Sequence, residues 1–166
     1  MRRRAVLLIT AMAAVLVVAC GVALAANISC KAGTTCFGTN KADTMTGTNQ
    51  ADDMRGRGGG DTIHGRDGDD KALGGDGNDE VSAGLGNDPS VAGEAGDDSL
   101  SSGDGDDSYV FEERWGADTI TNGEDSGEDK LVFSSITGPL DIDLIPGDGR
   151  DEVFSNAGML NFPGRF

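Results

Sequence analysis

Apolar residues recur at regular intervals through the middle of the chain, each between polar neighbours and each followed by a glycine-rich stretch. These positions, spaced by nine residues with one interval of ten, are Met45, Met54, Ile63, Ala72, Val81, Val91, Leu100 and Tyr109. A polar–apolar–polar triplet has the alternation of a β-strand whose central side chain points inward. The glycines permit positive φ and predict turns. We therefore expect short strands joined by turns, with one buried side chain per repeat.

Aspartates recur with the same period, just ahead of the apolar positions. They are Asp43, Asp52, Asp61, Asp70, Asp79, Asp88, Asp98 and Asp107. The single interval of ten falls between Asp88 and Asp98, and Pro89 is the candidate for the inserted residue. Eight units run from Gly38 to Val110, and the fifth, GGDGNDEVS, matches the full pattern GGxGxDxUx, in which U is apolar.

The composition is acidic, rich in glycine and poor in aromatic residues. The 166 residues include 29 Asp and Glu, 13 Lys and Arg and 27 Gly, with a formal net charge of -16. Such a chain buries too little hydrocarbon to offset its conformational entropy, so something other than an apolar core must stabilise it. Its negative field repels nucleic acids and anionic membrane surfaces, and it favours cations as ligands.

The repeated motif GGxGxDxUx resembles the RTX, or haemolysin-type, calcium-binding repeat family. The resemblance implies an all-β fold, a right-handed parallel β-roll in which two consecutive repeats make one coil. It also implies Ca²⁺ ions between neighbouring turns, held by carboxylates and backbone carbonyls, the oxygen ligands that Ca²⁺ prefers. One edge would stack Asp43, Asp61, Asp79 and Asp98, and the other Asp52, Asp70, Asp88 and Asp107. The implied glycine positions of these sites are Gly56, Gly59, Gly65, Gly68, Gly74, Gly75 and Gly77.

Stacked carboxylates explain why an ion would be needed for folding. Adjacent coils lie about 4.8 Å apart. At an effective dielectric constant of about 20, each pair of carboxylates then repels by about 3 kcal/mol. We therefore expect the repeats to be disordered without calcium and ordered with it. Extracellular calcium modules bind at about 10⁻⁴ to 10⁻³ M, which suits a protein that folds after export.

The units are not equivalent. The first two carry Lys41 and Gln50 where the motif has its second-half glycine, so we expect them to form an N-terminal cap with weak or absent sites. Pro89 lacks a backbone donor and shifts the register, so we expect it to disturb the sites that use Asp88.

The beginning of the chain is typical of a secretory signal peptide, with a basic start, an apolar run and a predicted cleavage after Ala25. A transmembrane anchor is a weaker alternative, because the apolar run is short. Lipoprotein processing at Cys20 is another alternative. After cleavage at Ala25, Cys30 and Cys36 remain, and in an exported protein this pair predicts a disulfide.

These features divide the chain into four segments. They are a signal peptide at 1–25, a segment with the disulfide at 26–37, the calcium-binding β-roll at 38–110 and a β-rich C-terminal cap at 111–166. The end of a solenoid needs such a cap to cover its last coil. Phe111, Trp115 and Phe133 are expected to form the core of the cap.

The sequence contains no recognisable catalytic motif. His64 is the only histidine, which rules out a zinc site of the HExxH type, and neither GxSxG nor a P-loop is present. We therefore expect a non-enzymatic, secreted calcium-binding protein with a structural or adhesive role at a cell surface or in extracellular matrix, and with no membrane span after processing. The alternative is a carrier module of an RTX toxin or exported enzyme, but RTX effectors generally lack the N-terminal signal seen here.

Overall fold

The computed structural model describes residues 25–121 and 127–134, together with the backbone of two further strands at 152–155 and 158–159. Within these residues the chain forms strands and turns and no helix, so none of the described segments could span a membrane as a helix. The strands are β1 (Asn27–Ser29), β2 (Thr35–Phe37), β3 (Thr44–Thr46), β4 (Asp53–Gly58), β5 (Thr62–Asp67), β6 (Lys71–Asp76), β7 (Glu80–Leu85), β8 (Ser90–Ala95), β9 (Ser99–Asp104), β10 (Ser108–Phe111), β11 (Thr119–Ile120), β12 (Lys130–Phe133), β13 (Glu152–Ser155) and β14 (Gly158–Met159). Apart from Ala25, the predicted signal peptide lies outside the described residues.

Successive strands alternate between two sheets. One sheet has the order β1-β3-β5-β7-β9-β11, and the other has the order β14-β13-β12-β10-β8-β6-β4-β2. The pairs are parallel, as for Ile63 beside Val81 in the first sheet, and only the terminal pair β13–β14 is antiparallel among the described strands. Two consecutive repeats therefore make one coil, which confirms the predicted parallel β-roll.

The inserted residue lies in a turn and leaves the strands in register. Thr62 of β5 pairs with Glu80 of β7, eighteen residues further on, whereas Lys71 of β6 pairs with Ser90 of β8, nineteen residues further on. The extra residue is Pro89, which directly precedes β8. A proline at this position does not remove a hydrogen bond from the middle of a ladder.

The predicted apolar positions form the core. Each is at most 1% exposed, and they lie in one column on each sheet. The columns are Met45, Ile63, Val81 and Leu100 on the first sheet, and Met54, Ala72, Val91 and Tyr109 on the second. The strand alternation read from the sequence is therefore confirmed at every repeat.

The repeat aspartates are buried as well, so the expectation of one buried side chain per repeat is wrong. Asp70 and Asp88 are 0% exposed, and the other aspartates of the series are at most 5% exposed. Each repeat thus contributes at least one apolar side chain and one carboxylate to the interior. Burial of a carboxylate is unfavourable unless hydrogen bonds or a cation compensate it, so the stability of each coil depends on what surrounds that group.

The roll begins before the first repeat unit. β1 pairs with β3 and β2 pairs with β4, so Ile28 and Cys36 extend the two apolar columns by one rung. A disulfide joins Cys30 to Cys36, and the Cys30 N–H donates to the carbonyl of Thr46 at 2.8 Å. The disulfide therefore lies within the first coil and connects its two sheets.

The parallel ladders also continue beyond the last repeat unit. β11 pairs with β9, and β12 pairs with β10. Phe111, Trp115 and Phe133 pack together at the core, with ring centroids 5.0 to 5.2 Å apart. This part of the chain is built as further solenoid strands with an aromatic cluster, and the antiparallel pair β13–β14 follows it.

Leu100 tests the assignment of the core. We expect Leu100→Ala to destabilise the calcium-loaded protein by about 2–5 kcal/mol, because it removes a fully buried side chain and leaves a cavity. Ser99→Ala, an exposed position next to it on the same strand, should change the free energy of unfolding by less than about 0.5 kcal/mol. Denaturant titration followed by circular dichroism measures both variants, and equal effects would contradict the placement of Leu100.

Candidate metal centre

Two columns of aspartates run along the roll, with one aspartate from each column in every coil. The backbone N–H of each aspartate donates to Oδ1 of the aspartate one coil further on. Asp61 donates to Asp79 at 2.7 Å, and Asp79 donates to Asp98 at 2.7 Å. The first column contains Asp43, Asp61, Asp79 and Asp98, and the second contains Asp52, Asp70, Asp88 and Asp107. The structure thus groups the aspartates into the two stacks that the resemblance implied.

The second carboxylate oxygen of the central aspartates has no hydrogen-bond partner among the described protein groups. These buried Oδ2 atoms belong to Asp61, Asp70, Asp79, Asp88 and Asp98. Leaving one buried carboxylate oxygen unsatisfied costs about 1–3 kcal/mol or more. Five such oxygens in register would be a large penalty, which a cation between the turns would remove.

The glycine at the first position of a unit lies directly against this oxygen. A Cβ built at Gly56, Gly74 or Gly93 would collide with Oδ2 of the aspartate of the same unit, which is Asp61 in the first case and Asp79 in the second. Gly65 bears the same relation to its own aspartate, Asp70. These glycines leave room around the carboxylate that any side chain would fill.

The other glycines of the predicted sites shape the turn. Gly59, Gly68, Gly75 and Gly77 have φ of 114°, 117°, 116° and 136°, a region that residues with a Cβ rarely adopt. A Cβ at Gly77 would also collide with the carbonyl of Gly59 one coil earlier. The predicted glycines therefore fall into two groups, one that packs against the carboxylates and one that allows neighbouring turns to stack closely.

Burial makes these carboxylates poor acids. Burial, together with the charge of nearby carboxylates, raises the pKa of Asp79 and of Asp88 to about 7, although the backbone N–H that each carboxylate accepts partly offsets the effect. Burial likewise raises the pKa of Asp70 to about 6. It also raises the pKa of Asp61 and of Asp98. Without a cation, Asp79 and Asp88 would therefore be partly protonated near neutral pH.

Pro89 does not break the second aspartate column, contrary to expectation. The Asp70 N–H donates to Asp88 at 2.7 Å, and the Asp88 N–H donates to Asp107 at 2.7 Å. Asp88 itself is fully buried. Because the extra residue, Pro89, follows the aspartate, Asp88 keeps the same position in its column as the aspartates of the neighbouring coils.

Two members of the columns were missed by the sequence analysis. The Asp98 N–H donates to Asp118 at 3.1 Å, and the Asp107 N–H donates to Asp129 at 3.0 Å. These separations of 20 and 22 residues differ from the repeat period and hide both aspartates from a search at fixed spacing. The shorter signature Gly-x-Asp-x-apolar, which begins at Gly116 and at Gly127, would have found them.

A second, exposed ladder accompanies the buried one. Its members are the residues just before the repeat aspartates, whose side-chain oxygens accept backbone N–H groups of the next coil. Asp69 accepts from Asn87 at 2.9 Å, and Asn87 accepts from Asp106 at 3.0 Å. The signal in the sequence is an Asp or Asn at the fifth position of each unit from Gly65 onward. These side chains help to hold the turns in register.

The donor set fits a hard cation that accepts oxygen from the backbone. In the described part of the chain, no three Asp, Glu, His or Cys side chains converge on one point, so side chains alone do not make a complete metal site. Ca²⁺ takes roughly six to eight oxygen ligands in flexible geometry and readily uses carbonyls, whereas Mg²⁺ demands a regular octahedron. The aspartate Oδ2 atoms and the carbonyls of the glycine turns are the groups that would hold it.

The raised pKa values give a pH dependence that can be tested without metal. The pKa of Asp79 and of Asp88 is higher in the folded state than in the unfolded state. The two aspartates therefore contribute stability that is present below about pH 4 and is lost as the pH rises through about 7. We expect the metal-free protein to gain β-structure as the pH falls from 7.5 to about 4. Far-ultraviolet circular dichroism of the dialysed protein measures this, and a signal that is flat or decreases on acidification would contradict it.

Comparison with known families agrees with the geometry. A family model described as RTX calcium-binding nonapeptide repeat (4 copies) matches residues 37–71, 55–88 and 90–112. No curated protein and no solved structure matches the chain. Repeats of this family bind Ca²⁺, which is the cation that the oxygen-only donor set favours. The RTX calcium-binding nonapeptide repeats predicted from the sequence are therefore confirmed for the segment between residues 37 and 112.

Proposed function

We propose that this chain is a secreted, non-catalytic calcium-binding protein in which Ca²⁺ ions between stacked turns are required for folding. The aspartates of the two columns beyond the first two repeats would supply carboxylate ligands, and the glycine turns would supply carbonyls. The observation that carries the proposal is the row of buried Oδ2 atoms, from Asp61 to Asp98, that no group in the described ranges of the chain satisfies.

The charges of the roll support a requirement for metal. The described residues contain a single ion pair, between the side chains of Arg55 and Asp53 at 3.0 Å, and it lies on the surface. Among the described residues, no cationic side chain therefore pairs with the column aspartates from Asp43 to Asp98. Because desolvated carboxylates one coil apart repel each other, ionised columns are stable only with bound cations.

Export would bring the protein to calcium, and signal-peptide cleavage would strengthen a contact in the first coil of the roll. The Ala26 nitrogen donates to Asp43 Oδ1 at 2.9 Å. Cleavage after Ala25 would convert this amide into an α-ammonium group and the hydrogen bond into an ion pair. Calcium at about 10⁻³ M, as found outside cells, is sufficient for modules of this kind.

A structural or adhesive role follows from the same features. RTX arrays are typically non-catalytic β-rolls, and this roll is long, regular and acidic. A calcium-rigidified rod of this kind is suited to a cell surface or an extracellular matrix. The signal-like segment at 1–25 favours such an autonomous role over that of a carrier module for an RTX toxin or exported enzyme.

A calcium titration tests the proposal. We expect the mature protein to gain β-structure cooperatively with Ca²⁺ at about 10⁻⁴ to 10⁻³ M, but not with Mg²⁺ at equal concentration. Asp79→Asn should raise the calcium midpoint several-fold, because it removes a buried charged ligand. The adjacent Glu80→Gln makes the same change of charge on an exposed side chain and should leave the midpoint nearly unchanged.

The readout is far-ultraviolet circular dichroism, combined with equilibrium dialysis to count bound Ca²⁺. If the protein bound no calcium at millimolar concentration, the proposed function would be wrong. Equal midpoints for Asp79→Asn and Glu80→Gln would remove the aspartate columns from the binding site.

Processing is tested separately in a secreting bacterial host. We expect mass spectrometry of the exported protein to show an N-terminus at Ala26. Ala25→Leu should block cleavage, because the peptidase requires a small residue there, whereas Leu24→Ala should not. A lipid-modified N-terminus at Cys20 would instead establish the lipoprotein alternative.

A further inference from the structure

The first two repeats close their turns in a different way from the rest. Their sequences, GTNKAD and GTNQAD, have threonine at the second position and no glycine at the fourth. The strand between their turns, β3, has only three residues, whereas β4 to β9 have six each. The backbone of these two turns therefore follows a different path.

In these two turns a threonine donates two hydrogen bonds to Oδ2 of the repeat aspartate. Asp43 Oδ2 accepts the backbone N–H of Thr39 at 2.6 Å and the hydroxyl of Thr39 at 2.8 Å. Asp52 Oδ2 accepts the backbone N–H of Thr48 at 2.6 Å and its hydroxyl at 3.0 Å. Each pair of hydrogen bonds binds Oδ2, the atom that in Asp61, the next aspartate of the first column, has no partner in the described part of the chain. Oδ1 of Asp52 remains buried without such a partner.

Later units cannot make this contact in the same way. Their second position has positive φ, as in Arg57 at 82°, Arg66 at 90° and Gly75 at 116°, and so does the fourth, as in Gly59 at 114°. Neither Thr39 nor Thr48 is among the described residues with positive φ. The threonine turn and the glycine turn are therefore two alternative structures around the same aspartate.

We propose that Thr39 and Thr48 take the place of calcium in the first two repeats, so that the roll has a metal-independent N-terminal end to which the calcium-binding turns are joined. The inference rests on the proposed function for the later repeats. It implies that Asp43 and Asp52 are structural residues and that calcium sites begin with Asp61 and Asp70. The disulfide between Cys30 and Cys36 cross-links the first coil at the same N-terminal end of the roll.

Counting bound calcium in variants of the mature protein separates the two kinds of turn. We expect Asp79→Asn to lose at least one equivalent of Ca²⁺ in equilibrium dialysis at 1 mM. Asp43→Asn and Asp52→Asn should keep the full number, even though they lower the stability of the first coils. Circular dichroism in calcium verifies that each variant is folded.

Hydrogen exchange tests the role of the threonines directly. Thr39→Val with Thr48→Val keeps the shape of both side chains and removes two hydroxyl donors. We expect amides of β2 and β3 to exchange faster in the calcium-loaded protein, by about fivefold for each hydrogen bond lost, and raising Ca²⁺ from 1 to 10 mM should not restore them. Thr44→Val, at an exposed position of β3, is the control and should leave the exchange unchanged.

The outcomes distinguish this inference from the proposed function. Loss of calcium from Asp43→Asn or Asp52→Asn, to the extent seen in Asp79→Asn, would overturn the metal-independent end while leaving the calcium-binding role intact. Recovery of the double threonine variant at 10 mM Ca²⁺ would overturn it as well. Absence of calcium from the unmodified protein would instead refute the proposed function.

Discussion

The buried carboxylate at each turn is the group on which the rest of the roll depends. Its Oδ1 accepts a backbone N–H from the preceding coil, as between Asp61 and Asp79, and so fixes the register of neighbouring turns. The apolar columns could not do this alone, since they contribute only one side chain per repeat, and one of these is Ala72. The same carboxylate opposes folding when it is ionised and unneutralised. Each turn is therefore ordered only when its second oxygen has found a partner.

The glycine pattern follows from that constraint. A glycine at the first position leaves room beside the carboxylate, and glycines at the second and fourth positions let one turn approach the carbonyls of the last, as Gly77 approaches Gly59. Where the second position is not glycine, as at Arg57 and Arg66, the left-handed backbone costs about 1–2 kcal/mol. The turn keeps this conformation because hydrogen bonds to the neighbouring coils hold its backbone in place.

Much of the fold was predictable because it is periodic. The spacing of residues such as Ile63 and Val81 predicted the strands and their buried apolar side chains, the family resemblance implied the two aspartate stacks, and Pro89 was correctly identified as the insertion. Where the period is lost, prediction failed: Asp118 and Asp129 stand at unequal separations, and Ile28 joins a column without any repeat around it. The burial of the aspartates was also missed. Alternation predicts which side chains within a strand face inward. These carboxylates lie in the turns that precede the strands, where alternation does not apply.

The two kinds of turn show how a small change in sequence alters what stabilises a coil. With threonine at the second position, as in Thr39, the hydrogen bonds come from the same unit and require no ligand. With positive φ at the second and fourth positions, as in Gly75 and Gly77, Oδ2 of Asp79 has no such hydrogen bonds from its own unit. A roll made only of threonine turns would fold regardless of calcium, and one made only of glycine turns would have both ends open in its absence. Combining the two restricts the calcium requirement to the part of the roll beyond its first coils, because Oδ2 of Asp43 and of Asp52, at the end that comes first in the chain, already accepts two hydrogen bonds from a threonine.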